Sequence, residues 1–415
     1  MNQRTREIRD ASREQTTQSR EGSTMSSNLY AASLQWSTRP DDERWESLEE
    51  MLSACRAHRD SAREAVVPIN TLRACVGGDG AELELVGKKG TPARLTHWAF
   101  GQLSQKAGAP AEYLRRLPAK LAAENVNHGL SKLSDDKANL LIHRNGSLVL
   151  RSITSDSYTR IWNCDAIERL RGFAEYGWRV PPARPARPDQ KGTRPATEQD
   201  VLECRDGAGG LSINVGDLIA PAGLYASDHD MFVFMVNEKN RIADGTEGGL
   251  SRGFFLTNSE VGAAALKVTT FLYRHVCGNH ICWNVSGVRE IKIVHRGQAN
   301  ARFRHSFVAE LKRYSEAGSQ GEELKIAEAR KFKLGNTKEE VLETVFKHLR
   351  GDASYKTLEA GYDRAAMDSN SDRTLDPNTA WGMSNGLTAH SQTTPYADER
   401  VRIDRAGAKV LQMAF

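Results

Sequence analysis

The sequence predicts an α+β fold, a mainly antiparallel sheet with packed helices. Two observations carry this. Candidate strands follow one another across short turns, as at 138–142 and 147–153 around His143-Arg144-Asn145-Gly146. Asn-Gly between apolar runs marks a tight hairpin, whose central residues adopt positive φ. Helical periodicity is gathered in separate stretches rather than alternating with single strands, so the βαβ signature of a doubly wound parallel sheet is missing.

The elements follow in order. Residues 1–30 are polar and charged and are expected to form a disordered tail, because they cannot bury a core. From Asp41 to Arg63, Trp45, Leu48, Met51, Leu52 and Cys55 recur at helical spacing. Short strands are expected at 66–72 and 81–87, then helices at 96–107, 110–117 and 118–132, with Pro110 and Pro118 suited to first turns. After the 138–153 hairpin comes a short helix at 164–174. Residues 181–200 are rich in Pro and Arg and read as an extended loop or linker between two halves, 31–180 and 201–415. Strand-like runs then occupy 211–219, 231–236 and 252–257, a helix or mixed segment 259–267, an apolar run 268–276 and a further strand 289–295. Residues 301–315 and 321–350 read as helical, the second with a capping box of Thr337 and Glu340. A looser segment, 351–380, leads to a helix carrying Trp381, Met383 and Leu387 and a last helix near 404–413.

Composition narrows the classes. The chain has 415 residues, 57 Lys and Arg against 53 Asp and Glu, and a net charge of +4. That mild excess permits a nucleic-acid partner without requiring one. The longest apolar run, Met231 to Val236, is far too short to span a bilayer, and the N-terminus has no apolar signal segment. Six cysteines without a CxxC read as reduced thiols in a cytoplasm.

Four stretches carry a family likeness: 151–167, 253–283, 379–392 and 401–413. They contain Ser155-Asp156-Ser157-Tyr158 with Trp162-Asn163, then Asn258-Ser259-Glu260-Val261-Gly262 followed by Arg274-His275-Val276-Cys277-Gly278-Asn279, and finally Trp381-Gly382, Asn385 and Thr388. In order and spacing these resemble the phage/plasmid-like protein family, a domain of unknown function (number 932), over roughly residues 40–415. His280 stands where that family usually has Gly. The resemblance implies a mobile-element, cytoplasmic, DNA-associated role. It supplies no reaction, catalytic residue or cofactor.

Several constellations invite chemistry. His275, Cys277, His280 and Cys282 crowd four soft ligands into eight residues, but their spacing fits no known zinc knuckle. Asp228-His229-Asp230 is the nearest approach to another metal cluster, and adjacent residues on a strand would point to opposite faces. A metal-dependent or hydrolytic site near 228–230 and 258–282 is therefore the rival reading, and a module countering host defence a third. Residues 100–117 have the outline of a helix-turn-helix, which ordinary helical hairpins share. No phosphate-loop motif occurs.

Basic residues give the broadest signal. Residues 289–313 hold Arg289, Lys292, Arg296, Arg302, Arg304, Lys312 and Arg313 against two acids, with Phe303 among them. Arg144, Arg151, Arg160 and Arg274, with Tyr158 and Trp162, occur in or beside the family-like stretches. Arginines that contact phosphates and aromatics that stack on bases suit single-stranded nucleic acid. The expectation is a non-enzymatic protein that binds single-stranded DNA in replication, recombination or annealing. By fold-level analogy with phage annealing proteins, it would form a homo-oligomer.

Overall fold

The computed structural model describes residues 39–415 except 79, 81, 89, 134–135, 187–192, 208–212, 221–223, 228, 247–248, 275–279, 282–290, 350, 371–372 and 392–396. The expected tail, 1–30, lies outside the described residues.

A two-residue strand, β1 (Arg44–Trp45), precedes helix α1 (Leu48–Asp60). The expected helix over 41–63 is thus shorter at both ends. Ser47 sits extended at the start and accepts the Glu50 amide at 3.2 Å, and from Ala62 the chain is strand. There follow β2 (Ala62–Pro68), β3 (Arg73–Val76), β4 (Leu83–Val86), β5 (Ala93–Leu95), α2 (His97–Lys106), α3 (Ala111–Arg115), α4 (Ala119–Ser131), β6 (Lys137–Asn145) and β7 (Ser147–Ser155). These strands form one sheet in the order β2-β6-β7-β5-β4-β3, parallel between β5 and β7 and antiparallel elsewhere. Apolar residues of α2–α4 (Ala99, Leu103, Leu114, Val126, Leu130) pack on Leu83, Leu85, Leu140, Leu150 and Ile153 of the sheet. The β6–β7 hairpin turns at Gly146, with φ 72°.

The second half carries α5 (Asn163–Arg171), β8 (Trp178–Arg179), β9 (Arg184–Pro185), β10 (Arg194–Pro195), α6 (Glu198–Gly207), β11 (Leu218–Ala220), β12 (Leu224–Ala226), β13 (Met231–Ile242), β14 (Leu250–Asn258), β15 (Leu266–Arg274), β16 (His280–Ile281) and β17 (Ile291–Ile293). The larger antiparallel sheet runs β1-β12-β13-β14-β15-β16, with β8 on β13 and β17 on β15. Within the Pro/Arg-rich segment, β9 and β10 pair with β11 in a small third sheet. Arg194 ties that sheet to the rest through Glu46 at 2.7 Å and Asp200 at 2.7 Å.

Strand β13 shows why the Met231–Val236 run is apolar without alternation. Met231, Val233 and Met235 enter the main core, while Phe232, Phe234 and Val236 enter an aromatic cluster with Tyr225, Phe255 and Phe271. A strand buried on both faces reads as a continuous apolar run.

The helical layer follows: α7 (Ala299–Arg302), a π-helical turn (Phe303–Phe307), α8 (Val308–Glu316), α9 (Gln320–Lys331), α10 (Lys338–His348), α11 (Tyr355–Ser369), α12 (Ala380–Ser391) and α13 (Ala397–Gln412). Three expectations change here. Residues 259–267 form a turn leading into β15 rather than a helix. The 321–350 stretch is two helices, because Thr337 caps a new one, accepting the Glu340 amide at 3.3 Å. The segment 351–380 holds a full helix, α11, started by Ser354.

Helix α12 is buried along its length. Its small residues let neighbours touch its backbone: a Cβ on Gly386 would lie 2.1 Å from the Gly361 carbonyl oxygen of α11. The described part of this family-like stretch, 379–391, is therefore a packing element at the centre of the helical layer.

Candidate functional site

Two of the family-like stretches meet in space. The turn after β14, Asn258 to Gly262, lies against the end of β7 and the start of α5. Tyr158 donates its hydroxyl to the Ser259 carbonyl at 3.1 Å. Trp98 and Gln102 of α2 both donate to the Val261 carbonyl, at 3.0 and 2.8 Å. Asn258 donates to the Ile161 carbonyl and to Asn163 Oδ1 at 2.9 and 2.8 Å.

Glu260 is the centre of this contact. Helix α5 has no side-chain cap of its own. Glu260 supplies one from the larger sheet, accepting the Asn163 amide at 2.7 Å, where the helix N-terminus favours negative charge. Its other oxygen accepts Arg151 Nη2 at 3.2 Å. Arg151 reaches it because β7 bulges there: Leu141 pairs with Ser152 and Ile142 with Leu150, so Arg151 is the extra residue of the bulge and its side chain is re-aimed. Both side chains are almost wholly buried, at 1% and 2% exposure.

This placement corrects the expectation that these residues form an open nucleic-acid surface. Arg151 is an interior ion-pair partner. Arg160 is buried, with Glu64 Oε2 3.4 Å from its Nε. Tyr158 is largely covered, stacked on His295 with ring centroids 5.1 Å apart. Trp162 is half-buried against the main core. Phe303 is a core residue. None of these rings stands free to stack on a base.

Other expected residues do face solvent. Lys292, Arg296, Arg302 and Arg304 are all exposed, and from Ile291 to Val308 the chain has no Asp or Glu. The π turn explains the exposure of Arg302 and Arg304. It brings Phe303 and Phe307 inward, ring centroids 4.9 Å apart, while Arg302, Arg304, His305 and Ser306 point out. Such widened turns recur at functional sites. The segment is pinned to the smaller sheet's end of the molecule: Tyr158 bridges Arg296, and Thr159 bonds to the His295 and Gly297 carbonyls at 3.0 and 2.9 Å. Arg302 reinforces it by donating to the Arg296 carbonyl at 2.8 Å. Arg144 is exposed on the β6–β7 hairpin of the other sheet. Arg289 and the side chain of Arg274 lie outside the described residues.

A cleft of about 530 Å³ opens beside the π turn. Arg169, Gly172, Tyr176, Asn300, Arg304 and Val308 line it. The ring of Tyr176 is exposed, and Lys312 Nζ lies 5.7 Å from its centroid. The acids at the rim are already engaged: Asp165 by Arg59 at 3.0 Å, Glu168 by Arg56 and by Arg171 at 3.3 Å. Arg169 and Tyr176 went unnoticed in sequence, where they are ordinary members of a short helix and the turn after it.

The remaining clusters are placed as follows. Asp230 pairs with Arg39 at 2.6 Å, His229 packs edge-on against Trp98, and Asp228 lies outside the described residues. Of the 275–282 group, only the backbone of His280, in β16, is described. Among the described residues, no three His, Cys, Asp or Glu side chains gather where they could hold a metal. In the 100–117 stretch, α3 has five residues, and Arg115 is turned to the His97 carbonyl at 3.1 Å. Among the described residues, no helix is long and apolar enough to cross a membrane.

Residues 207–405 match the family model described as Domain of unknown function (DUF932). No curated protein and no solved structure matches the chain. The matched region takes in the Asn258–Gly262 turn, the basic segment and α12. The 151–167 stretch that receives Glu260 lies outside it.

Proposed function

We propose that this chain, a member of the DUF932 family over residues 207–405, binds single-stranded nucleic acid without itself catalysing a reaction. The observation that carries the reading is the exposed, acid-free segment 291–308 with Lys292, Arg296, Arg302 and Arg304. Cations without a competing carboxylate on the same segment are free to release counterions from a phosphate backbone. Burial of Phe303 and Phe307 anchors the turn and so sets the side from which Arg302 and Arg304 leave it.

The adjoining cleft favours a single strand over a duplex. Tyr176 offers an exposed ring next to Arg169 and Arg304, and unpaired bases stack on such rings in any sequence. A duplex keeps its bases stacked on one another. The biological setting that fits is replication, recombination or annealing of a mobile element's DNA in the cytoplasm, with self-association along the strand.

Fluorescence anisotropy with labelled single- and double-stranded oligonucleotides across a salt series tests the reading. The expected result is tighter single-strand binding, with affinity falling steeply as salt rises. Salt-insensitive binding, or none at low salt, would overturn it.

A further inference from the structure

The segment Tyr158-Thr159-Arg160-Ile161-Trp162 alternates. Thr159 turns to the Gly297 carbonyl and Ile161 is fully buried in the main core. Tyr158, Arg160 and Trp162 share the other side. The Arg160 guanidinium carbon lies 5.2 Å from the Tyr158 ring centroid and 5.5 Å from that of Trp162. The result is a guanidinium held between two rings, its side chain 1% exposed.

Its hydrogen bonds are missing. Nε, Nη1 and Nη2 of Arg160 are all buried and none has a hydrogen-bond partner. A buried cation with unmet donors is costly unless something else completes it. Glu64 does so only in part: its Oε2 stands 3.4 Å from Nε and accepts Asn139 Nδ2 at 3.0 Å. Glu64 belongs to β2, an edge strand, and is itself 35% exposed, so its carboxylate has a way out to solvent. His295, stacked on Tyr158, likewise has a buried Nε2 without a hydrogen bond, its Nδ1 being taken by the Thr159 carbonyl at 3.2 Å.

We propose that Arg160 anchors a binding site for a phosphate group, which enters by displacing the Glu64 carboxylate. A guanidinium presents its donors as a planar fork that matches a phosphate's oxygens two at a time. A phosphate has enough oxygens to satisfy the three idle nitrogens together, which the single Glu64 oxygen does not. Burial keeps His295 neutral, its pKa pushed down to about 4, so it adds no competing positive charge until an anion arrives. Tyr158 bridges Arg296, so the site adjoins the basic segment. The phosphate is either the end of a nucleic-acid strand or the free ion. The inference stands apart from single-strand binding, because the free ion alone tests it.

The test is calorimetric titration of the full-length protein with inorganic phosphate at low ionic strength. One saturable site is expected. Glu64→Gln removes the competing charge and is expected to tighten binding at least threefold. Arg160→Lys keeps the charge but loses the fork and is expected to weaken binding at least tenfold. No saturable binding by the wild-type protein would overturn the site, as would unchanged or weaker binding by E64Q. E64Q decides the matter even if R160K fails to fold. Competition by a 5′-phosphorylated but not a 5′-hydroxyl oligonucleotide supports the site with a strand end as its ligand. Competition by neither supports it with the free ion.

Discussion

Arg151 and Glu260, 109 positions apart in sequence, meet at 3.2 Å where the two sheets of this protein adjoin. The arginine comes from a bulge in one sheet and the glutamate from a turn leaving the other. The same carboxylate caps helix α5. One interior ion pair therefore sets how the smaller sheet, the larger sheet and the first helix between them fit together.

Breaking that pair should be severe. Glu260→Gln leaves Arg151 as a buried charge without its carboxylate, and losing one partner of a buried pair costs about 3–5 kcal/mol. Urea denaturation of E260Q should show a loss of that order. Arg151→Met combined with E260Q should recover part of it, because the stranded charge is gone. A double variant no more stable than E260Q would show that the buried arginine charge is not the source of the loss.

His295 should give the protein a pH dependence. Its pKa is pushed down by burial from the ordinary 6.5 to about 4. Between those values the unfolded chain binds the extra proton and the folded protein does not. The stability from His295 is therefore complete above pH 6.5 and is lost as pH falls through about 4. The full effect is on the order of 3 kcal/mol. His295→Phe keeps a ring against Tyr158 and should lose correspondingly less stability between pH 7 and pH 4 than the wild type does. An identical loss in both would contradict the placement.

Gly386→Ala should destabilise through packing alone. The added Cβ would fall 2.1 Å from the Gly361 carbonyl oxygen, so α11 and α12 would have to separate. Overpacking of this kind costs about 1–3 kcal/mol, read as a lower melting midpoint. An unchanged midpoint would mean that the two helices have room to move apart.

These positions show what was legible in sequence. The α+β class, the hairpin at Gly146 and the α5 helix follow from local pattern and turn chemistry. Helix α11 does not, because Gly361 weakens the helical pattern where close approach to α12 demands it. The capping box at Thr337 marked a helix start that was read through as helix interior. The interior roles of Arg151 and Arg160 were out of reach: an arginine near aromatics reads as a surface contact until its carboxylate, Glu260 or Glu64, is located across the fold. The exposure of Lys292, Arg296, Arg302 and Arg304 was legible, because a stretch of many cations and few acids is itself a statement about exposure.

The most direct test of single-strand binding is the charge-reversed variant Lys292→Glu, Arg296→Glu, Arg304→Glu, measured beside the wild type by anisotropy against one single-stranded oligonucleotide across a salt series. All three residues are exposed, so the fold should stand. Affinity should drop sharply at low salt, and the salt slope should flatten by about 0.7 for each phosphate that the variant no longer neutralises. Wild-type affinity and slope in the variant would contradict the assignment of this segment to nucleic acid.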